Sequence, residues 1–560
     1  MVWSHVYDPL GWPFGSTLVA MLPLVVLLGL LAGAGWSAQR AAVAGLVTAL
    51  AIAVGVVGMP VDAAAAAAVH GAAFGIFPIG WIILTAMFLY RLSVEAGALD
   101  VMKRSVTSLS ADHRVQALLI AFSFGAFLEG AAGFGAPVAI SAALLTGAGF
   151  PAIEAACLAL IANTAPVAFG ALGTPIITLA KVTGLDEQAI SAMAGRQLPF
   201  FSLIVPAWMV VTMTGWRGLA GGWPAVLVCG ASFAVVQFAM ANFVGAALVD
   251  VVGGVASLVA LAVFLRWWQP REIWRHGSGW EAASHRPAAT DSAARVAWAW
   301  TPWAFLSVAV FLWGLPPVKA VLEGRAAAVT SLAAALPQPA VAPEFPVPRL
   351  HERVAKVPPA TREERELERA VYRFNWLSAA GTGILAAALI SIPWLGISWR
   401  RAWEIWWQTL CGLRASLVTI AAMLALAFVT RYSGTDVTLG LALTWTGALY
   451  PFFAPLLGWL GVALTGSDTS SNAMFGSLQR VTAEQLGLDP LLVCTANSTG
   501  GVMGKMIDAQ SIVVSATATG TERQEGLILR RVFPHSLALA ALMGLLVWLQ
   551  AGPLAWMVPR

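Results

Sequence analysis

Charged side chains are scarce in this sequence. Asp, Glu, Lys and Arg make up 11% of 560 residues, against about 25% in ordinary soluble domains. With 59% hydrophobic residues and a mean hydropathy of +0.78, a chain this long cannot hide its apolar surface in one water-soluble core. Cysteine is nearly absent. Cys157, Cys229, Cys411 and Cys494 lie in apolar stretches without metal-ligand spacing, so they read as small hydrophobes, and no metal centre is expected. Residues 1–16 contain neither Lys nor Arg. The basic start of a cleaved leader is therefore missing, and the run 16–34 reads as a retained span. There is no HExxH, no nucleophile elbow and no cofactor fingerprint, so no catalytic residue, cofactor or enzyme activity is expected. The formal net charge of +4 is spread over loops, with no basic stripe for nucleic acid, and the histidines do not cluster.

What is abundant fits an α-helical protein that crosses the membrane many times. The chain has 25 Trp and 53 Gly. Trp favours the headgroup level, and Gly permits close helix packing and broken helices. Apolar stretches of spanning length occur at 17–35, 41–58, 71–92, 197–216, 222–243, 245–265, 297–316, 377–397, 409–431 and 534–552. Four further regions, 115–150, 152–181, 437–480 and 484–517, are apolar but rich in Gly, Pro, Ser, Thr and Asn. Such sequences make poor continuous helices. In a bilayer, irregular backbone survives only where protein or a water-filled cavity satisfies it. Broken helices and re-entrant hairpins are expected there, giving about twelve spans plus two hairpins.

Basic residues orient this arrangement. Arg40, Arg91, Lys103, Arg104, Arg114, Arg266, Arg271, Arg275, Arg400, Arg401, Arg523, Arg530 and Arg531 fall on the cytoplasmic side if 115–150 and 437–480 each enter and leave through one face. Both termini are then outside. The loop 317–376 separates an N-terminal transmembrane half, 1–316, from a C-terminal half, 377–560. Its mixed-charge run 361–374, TREERELERAVYRF, has helical charge spacing and predicts a solvated or membrane-surface helix. Arg431 reads as an interfacial anchor, and Asp250 as an interface residue or helix cap.

The halves echo each other. FLEGAAGFGAP (127–137) precedes ANTAPVAFGALGTPI (162–176). LTGSDTSSNAMFGSL (464–478) precedes ANSTGGVMGKMIDAQSI (496–512). Each half has a Gly- or Ser-rich tip with one acid, Glu129 or Asp468, and then an Ala-Asn-(Thr/Ser) step expected to open a broken helix at Asn163 or Asn497. With the hairpins entering from opposite faces, this is the pattern of an inverted repeat, and transporters bind substrate at such repeat interfaces.

The residue types suit a small carboxylate. Half-helix N-termini offer free N–H groups and a positive dipole end. Gly130, Gly133 and Gly135 allow close backbone approach. Asn163, Thr164, Thr174, Ser467, Thr469, Ser470, Ser471, Asn497, Ser498, Thr499 and Gln510 supply hydroxyl and amide partners. Glu129, alone in an apolar break, is the candidate proton carrier. Asp468, flanked by hydroxyls, is a second coupling acid, or else a cation or substrate-orienting group. Lys505, with Asp508 three residues on, is either the substrate's countercharge or half of a structural pair.

Several segments resemble signatures of the bacterial L-lactate permease family: FGAFLEGAAGFGAPVAI, ANTAPVAFGALGTPI, KVTGLD, GRQLP, GSDTSSNAMFGSLQ and ANSTGGVMGKMI, together with the opening YDPLG and WAWTPWAFLSVAVFLWG at 298–314. The resemblance covers nearly the whole chain outside 317–376. It implies proton symport of L-lactate, with D-lactate and glycolate, across the bacterial inner membrane, so its partners would be small 2-hydroxy monocarboxylates, protons and lipid. One departure stands out. The family pattern has Ser-Pro where this chain has Asp508-Ala509. Sodium-coupled carboxylate uptake is the alternative within transport, and a membrane-embedded enzyme or sensor the alternative outside it. Protonophore or sodium removal separates the first pair, and turnover of lactate by purified protein would favour an enzyme.

Overall fold

Long apolar helices alternating with glycine-rich breaks dominate the computed structural model. It describes residues 2–559 except 33–35, 37, 132, 134, 277–278, 283–290, 325–340, 362–363 and 522–523. Arg523 and part of the 317–376 loop thus lie outside the described residues. Among those described, eight helices are long and apolar enough to cross a membrane, or nine if a pair bent by 65° counts as one span. One of them, Glu187–Phe243, has 57 residues, about 85 Å of helix. That is enough for two crossings, and it breaks at Gly215, where φ is 65° and ψ −169°. The expected spans 197–216 and 222–243 meet at this kink. Shorter apolar helices, Pro13–Leu27, Gln39–Gly55, Pro137–Gly147 and Ala380–Trp394, complete the bundle. Trp216, Trp267, Trp399, Trp403, Trp445 and Trp556 are exposed at or near helix ends, where amphipathic rings meet the headgroup layer. The chain is an integral, multi-pass, all-α membrane protein.

Strands are few and short. Trp3–Ser4 pairs in parallel with Val354–Lys356, which pairs antiparallel with Glu366–Leu367. Glu344–Pro346 pairs with Val371–Arg373. The expected helix over 361–374 is therefore not formed; the described part of that run holds two of these strands. Tertiary pairing overrides the helical charge spacing. Glu368 turns inward, where Lys356 Nζ lies 2.8 Å and Arg431 3.4 Å from its carboxyl. Burial alone would push this carboxyl up, but Arg431 and Lys356 outweigh it and hold it below its ordinary range. Arg431 also donates to the Val182 carbonyl at 3.1 Å, so it clamps the outer segment to the helices rather than simply marking the interface.

These strands define one face of the bundle, which carries the N-terminus. The hairpin of Glu272–Arg275 with Gly279–Ala282 marks the other. The helix Ala293–Gly314, 22 residues long and so about 33 Å, runs between them.

Two helical hairpins enter from these opposite faces. The first begins at His113, whose ring stacks on Phe150 at 4.6 Å, so its two ends meet. His276 N donates to His113 Nδ1 at 3.2 Å, which places this base beside the Glu272–Arg275 strand. Its arms, His113–Ala131 and Ala136–Gly147, touch where Ser141 Oγ donates to the Ile120 carbonyl. The second comprises Tyr450–Thr465 and Asp468–Leu486, joined by Gly466 and Ser467. Tyr450 OH donates to Gln479 Oε1 at 2.7 Å, and Gln479 Nε2 to the Ala454 carbonyl at 2.8 Å, tying its arms. Gln485 donates to the Pro359 carbonyl, so this base lies at the N-terminal face.

A broken helix follows each hairpin. Ala152–Ala162 bends by 65° into Val167–Thr183. Pro166 interrupts the backbone ladder there, and Ala171, Leu172 and Gly173 take left-handed φ of 44°, 58° and 77°. Such angles cost non-glycine residues about 1–3 kcal/mol each and collect at functional sites. Pro490–Gly504 passes through the turn Lys505–Ile507 into Ala509–Thr519. It lies backbone to backbone on the second hairpin. A Cβ at Gly500 would overlap the Pro455 carbonyl, and one at Gly504 the Trp459 carbonyl. Four-residue spacing of small residues permits this close approach.

Candidate functional site

The two hairpin tips converge on both helix breaks. Between them lies a small cavity of about 40 Å³. The first tip contributes Glu129 and Gly133, and the first broken helix Gly170, Ala171 and Thr174. The second tip contributes Gly466, Ser467, Asp468 and Thr469, and the second break Lys505. Thr174 and Thr469 hydroxyls stand 3.5 Å apart, so the two halves touch here.

Local sequence sets each group. Glu129 ends the helix Gly125–Ala131, with Oε2 unpartnered and Oε1 packed against Gly170, where a Cβ would stand 2.7 Å from it. Asp468 opens the helix Asp468–Leu486 behind the N-cap Ser467, which accepts from Ser470 N at 3.2 Å. Its Oδ2 accepts from Ser498 at 2.5 Å and Asn472 at 3.4 Å, while Oδ1 is unpartnered. Lys505 is buried; its Nζ donates to the Gly466 carbonyl at 2.6 Å and pairs with Asp508 Oδ2 at 3.4 Å. An ammonium has three donors, which leaves one for a ligand in the cavity. Asp508 Oδ1 caps Ala509–Thr519 by accepting from Ser511 N at 2.8 Å.

Seven of the expected site residues line the cavity: Glu129, Gly133, Thr174, Ser467, Asp468, Thr469 and Lys505. The others do not. Gly130 faces the helix Val249–Phe264, and Gly135 faces Val514. Thr164 bonds the Ile161 carbonyl, Ser471 the Gly458 carbonyl and Thr499 the Gln197 amide. Ser470 donates its backbone N–H to the cap. Ser498 acts one step back, through Asp468. Gln510 is exposed beside Gly466.

The two Asn residues differ in role. Asn163 follows the first broken segment's opening helix and sits beside Glu129, its amide making no well-aligned hydrogen bond. Asn497 does not open a break. It lies inside Pro490–Gly504, donating to Asn472 Oδ1 at 2.9 Å and accepting from Gln479 Nε2 at 3.2 Å. The break comes later, at Lys505, because Gly500 and Gly504 hold the intervening turns against the hairpin. Sequence reasoning also missed the Gly466 carbonyl, a backbone group, and read as an interface residue or helix cap the acid Asp250. The latter is fully buried with both oxygens unpartnered. An acid inside an apolar span was the signal available.

The profile of the L-lactate permease family matches residues 16–552. The chain belongs to this family. L-lactate permeases of Salmonella typhimurium and Escherichia coli K12 are 45% and 44% identical to it over 560 residues, covering all of both chains in each case. A glycolate permease of Escherichia coli K12 is 45% identical over 98% of each chain. This permease-family chain is a transporter, not an enzyme, and its candidate site is the cavity where the tips of its two hairpins meet.

Proposed function

We propose that this permease imports L-lactate, together with D-lactate and glycolate, across the bacterial inner membrane by proton symport, using two hairpins related as inverted repeats. Identity to relatives named for lactate and for glycolate is 44–45% in either case. That supports the shared chemistry, a small 2-hydroxy monocarboxylate, over either acid alone.

The observation that carries the reading is the charge inventory of the cavity. Glu129, Asp468 and the adjacent Asp508 face one ammonium, Lys505. Fully ionised, these groups sum to −2, and a carboxylate would bring −3. Burying like charges at this proximity is prohibitive. Protons on Glu129 and Asp468 leave a neutral Lys505–Asp508 pair whose ammonium has one donor to spare. Entry of the anion is then linked to protonation, which is the requirement for symport. The groups bonded to Asp468, Ser498 and Asn472, both donate to it. Both hold Oδ2, which leaves the buried and unpartnered Oδ1 as the oxygen that takes the proton.

In this reading the carboxylate meets Lys505 and the N-terminus of Asp468–Leu486, while Thr174 and Thr469 bond the 2-hydroxyl. Sites that bond a hydroxyl discriminate strongly against analogues lacking it. The test is counterflow of labelled L-lactate in proteoliposomes. D-lactate and glycolate should compete and propionate poorly; equal competition by propionate contradicts the hydroxyl assignment.

A further inference from the structure

Asp250 takes no part in the cavity. It lies in the first turn of Val249–Phe264, with no exposure and neither carboxyl oxygen hydrogen-bonded. A structural acid at membrane depth is ordinarily paired or capping, and Asp250 is neither. Its surroundings connect it to the site. A Cβ at Gly130 would stand 2.7 Å from Asp250 Cβ and from Val251 N, so the first hairpin's tip rests directly on Asp250. One turn along, a Cβ at Gly254 would stand 2.8 Å from Phe127 Cα. Gly130 is the residue after Glu129. The tip thus presents one carboxyl to the cavity on one side and covers a second on the other.

The left-handed turn of the first broken helix joins the two. A Cβ at Gly170 would meet Glu129, and one at Gly173 would meet Ala246, in the short turn that leads into the Asp250 helix. Packed against that helix are the first hairpin's arm from Leu118 to Ala131, the Ala246–Leu248 turn, the Leu198–Phe243 helix and the Gly170–Thr183 segment. Among the described residues of all these, Glu129 is the charged group next to Asp250 in the packing, one residue from the Gly130 contact. Lys181 and Arg217 sit far along their own helices, and Cys229 faces Ser123 and Ser257.

We propose that Asp250 is a second proton-binding site of the transporter, loaded through Glu129 across the tip of the first hairpin. The step moves one proton from the Glu129 carboxyl oxygen to an Asp250 carboxylate oxygen, and the charge left on Glu129 is neutralised by the next proton from the cavity. This rests on the reading of Glu129 as proton carrier. It adds that the proton is stored behind the tip, out of contact with substrate, so that substrate release and proton release are separate steps.

Asp250→Asn in the full-length protein, reconstituted in proteoliposomes, tests this. Counterflow, which needs no net proton movement, should be retained. Accumulation of lactate on an inward-acid pH gradient should fall about tenfold, and the pH dependence of lactate binding should lose one of two titrations. A structural role for Asp250 would lower thermal stability and leave the pH profile unmoved, and that result overturns the proposal. A second measurement covers poor folding of the variant. The lactate-induced infrared difference spectrum of the wild-type protein, with aspartate carboxyls carbon-13 labelled, should show two labelled aspartic-acid bands, one from Asp468 and one from Asp250; a single band, or none, would overturn the proposal. The underlying reading fails separately, and the proposal with it, if the wild-type protein does not accumulate lactate on a pH gradient at all.

Discussion

Replacing Asp508 with Ser separates two roles of one side chain. Oδ1 caps the helix Ala509–Thr519 through Ser511 N, and Oδ2 stands 3.4 Å from Lys505 Nζ. Ser caps about as well as Asp, so this substitution keeps the cap and deletes the charge. At 3.4 Å, unit charges attract by about 5 kcal/mol at an effective dielectric of about 20, and by about 1 kcal/mol in bulk water. Lys505 stays anchored by the Gly466 carbonyl at 2.6 Å and offers the freed attraction to a bound carboxylate. Lactate should therefore bind about tenfold tighter or more, a gain of about 1.4 kcal/mol at the lower end. Calorimetric binding to purified protein and a thermal melt, run on the same sample, measure both quantities. Asp508→Ala, which also removes the cap, should lose a further ~1 kcal/mol of stability. If the pair were purely structural, removing one buried partner would cost about 3–5 kcal/mol. A melting temperature that collapses while lactate affinity stays unchanged refutes the argument.

Glu129→Gln should abolish proton-driven accumulation while lactate exchange continues, and normal accumulation in that variant would remove Glu129 from the coupling mechanism. Gly500→Ala forces a methyl into the Pro455 carbonyl and should destabilise the protein by about 1–3 kcal/mol; an unchanged melt would mean the second broken helix is not packed as described. Glu368, held below its ordinary range by Arg431 and Lys356 against the effect of burial, contributes stability that is present above the unfolded carboxyl value and lost as pH falls through its lower folded value. Melting curves of wild type and Glu368→Gln should therefore differ at neutral pH and converge in acid; a constant difference would contradict the assignment.

The membrane class, the two hairpins and their glycine-rich tips were legible because each rests on local composition: apolar length for the spans, Gly and Pro for the breaks. Glu129, Asp468 and Lys505 were legible for a related reason, since ionisable groups inside apolar sequence are costly and few. The strands of the outer segment were not. Their partners, such as Trp3 with Val354, are remote in sequence, and the run 361–374 has the charge spacing of a helix. Asn497 was misplaced because its Ala-Asn step matches that of Asn163, while the packing of Gly500 and Gly504 on the second hairpin moves the break downstream. Asp250 looked like a helix cap from its position at the start of a span. Only the tertiary contact with Gly130 sets it behind the first hairpin's tip.

The central claim is that lactate and a proton cross together. Proteoliposomes in sodium-free buffer, with the interior more alkaline than the exterior, give the most direct test. Labelled L-lactate should accumulate above its equilibrium level, and a protonophore should abolish the accumulation. Uptake that requires sodium, or that a protonophore leaves untouched, would contradict the account.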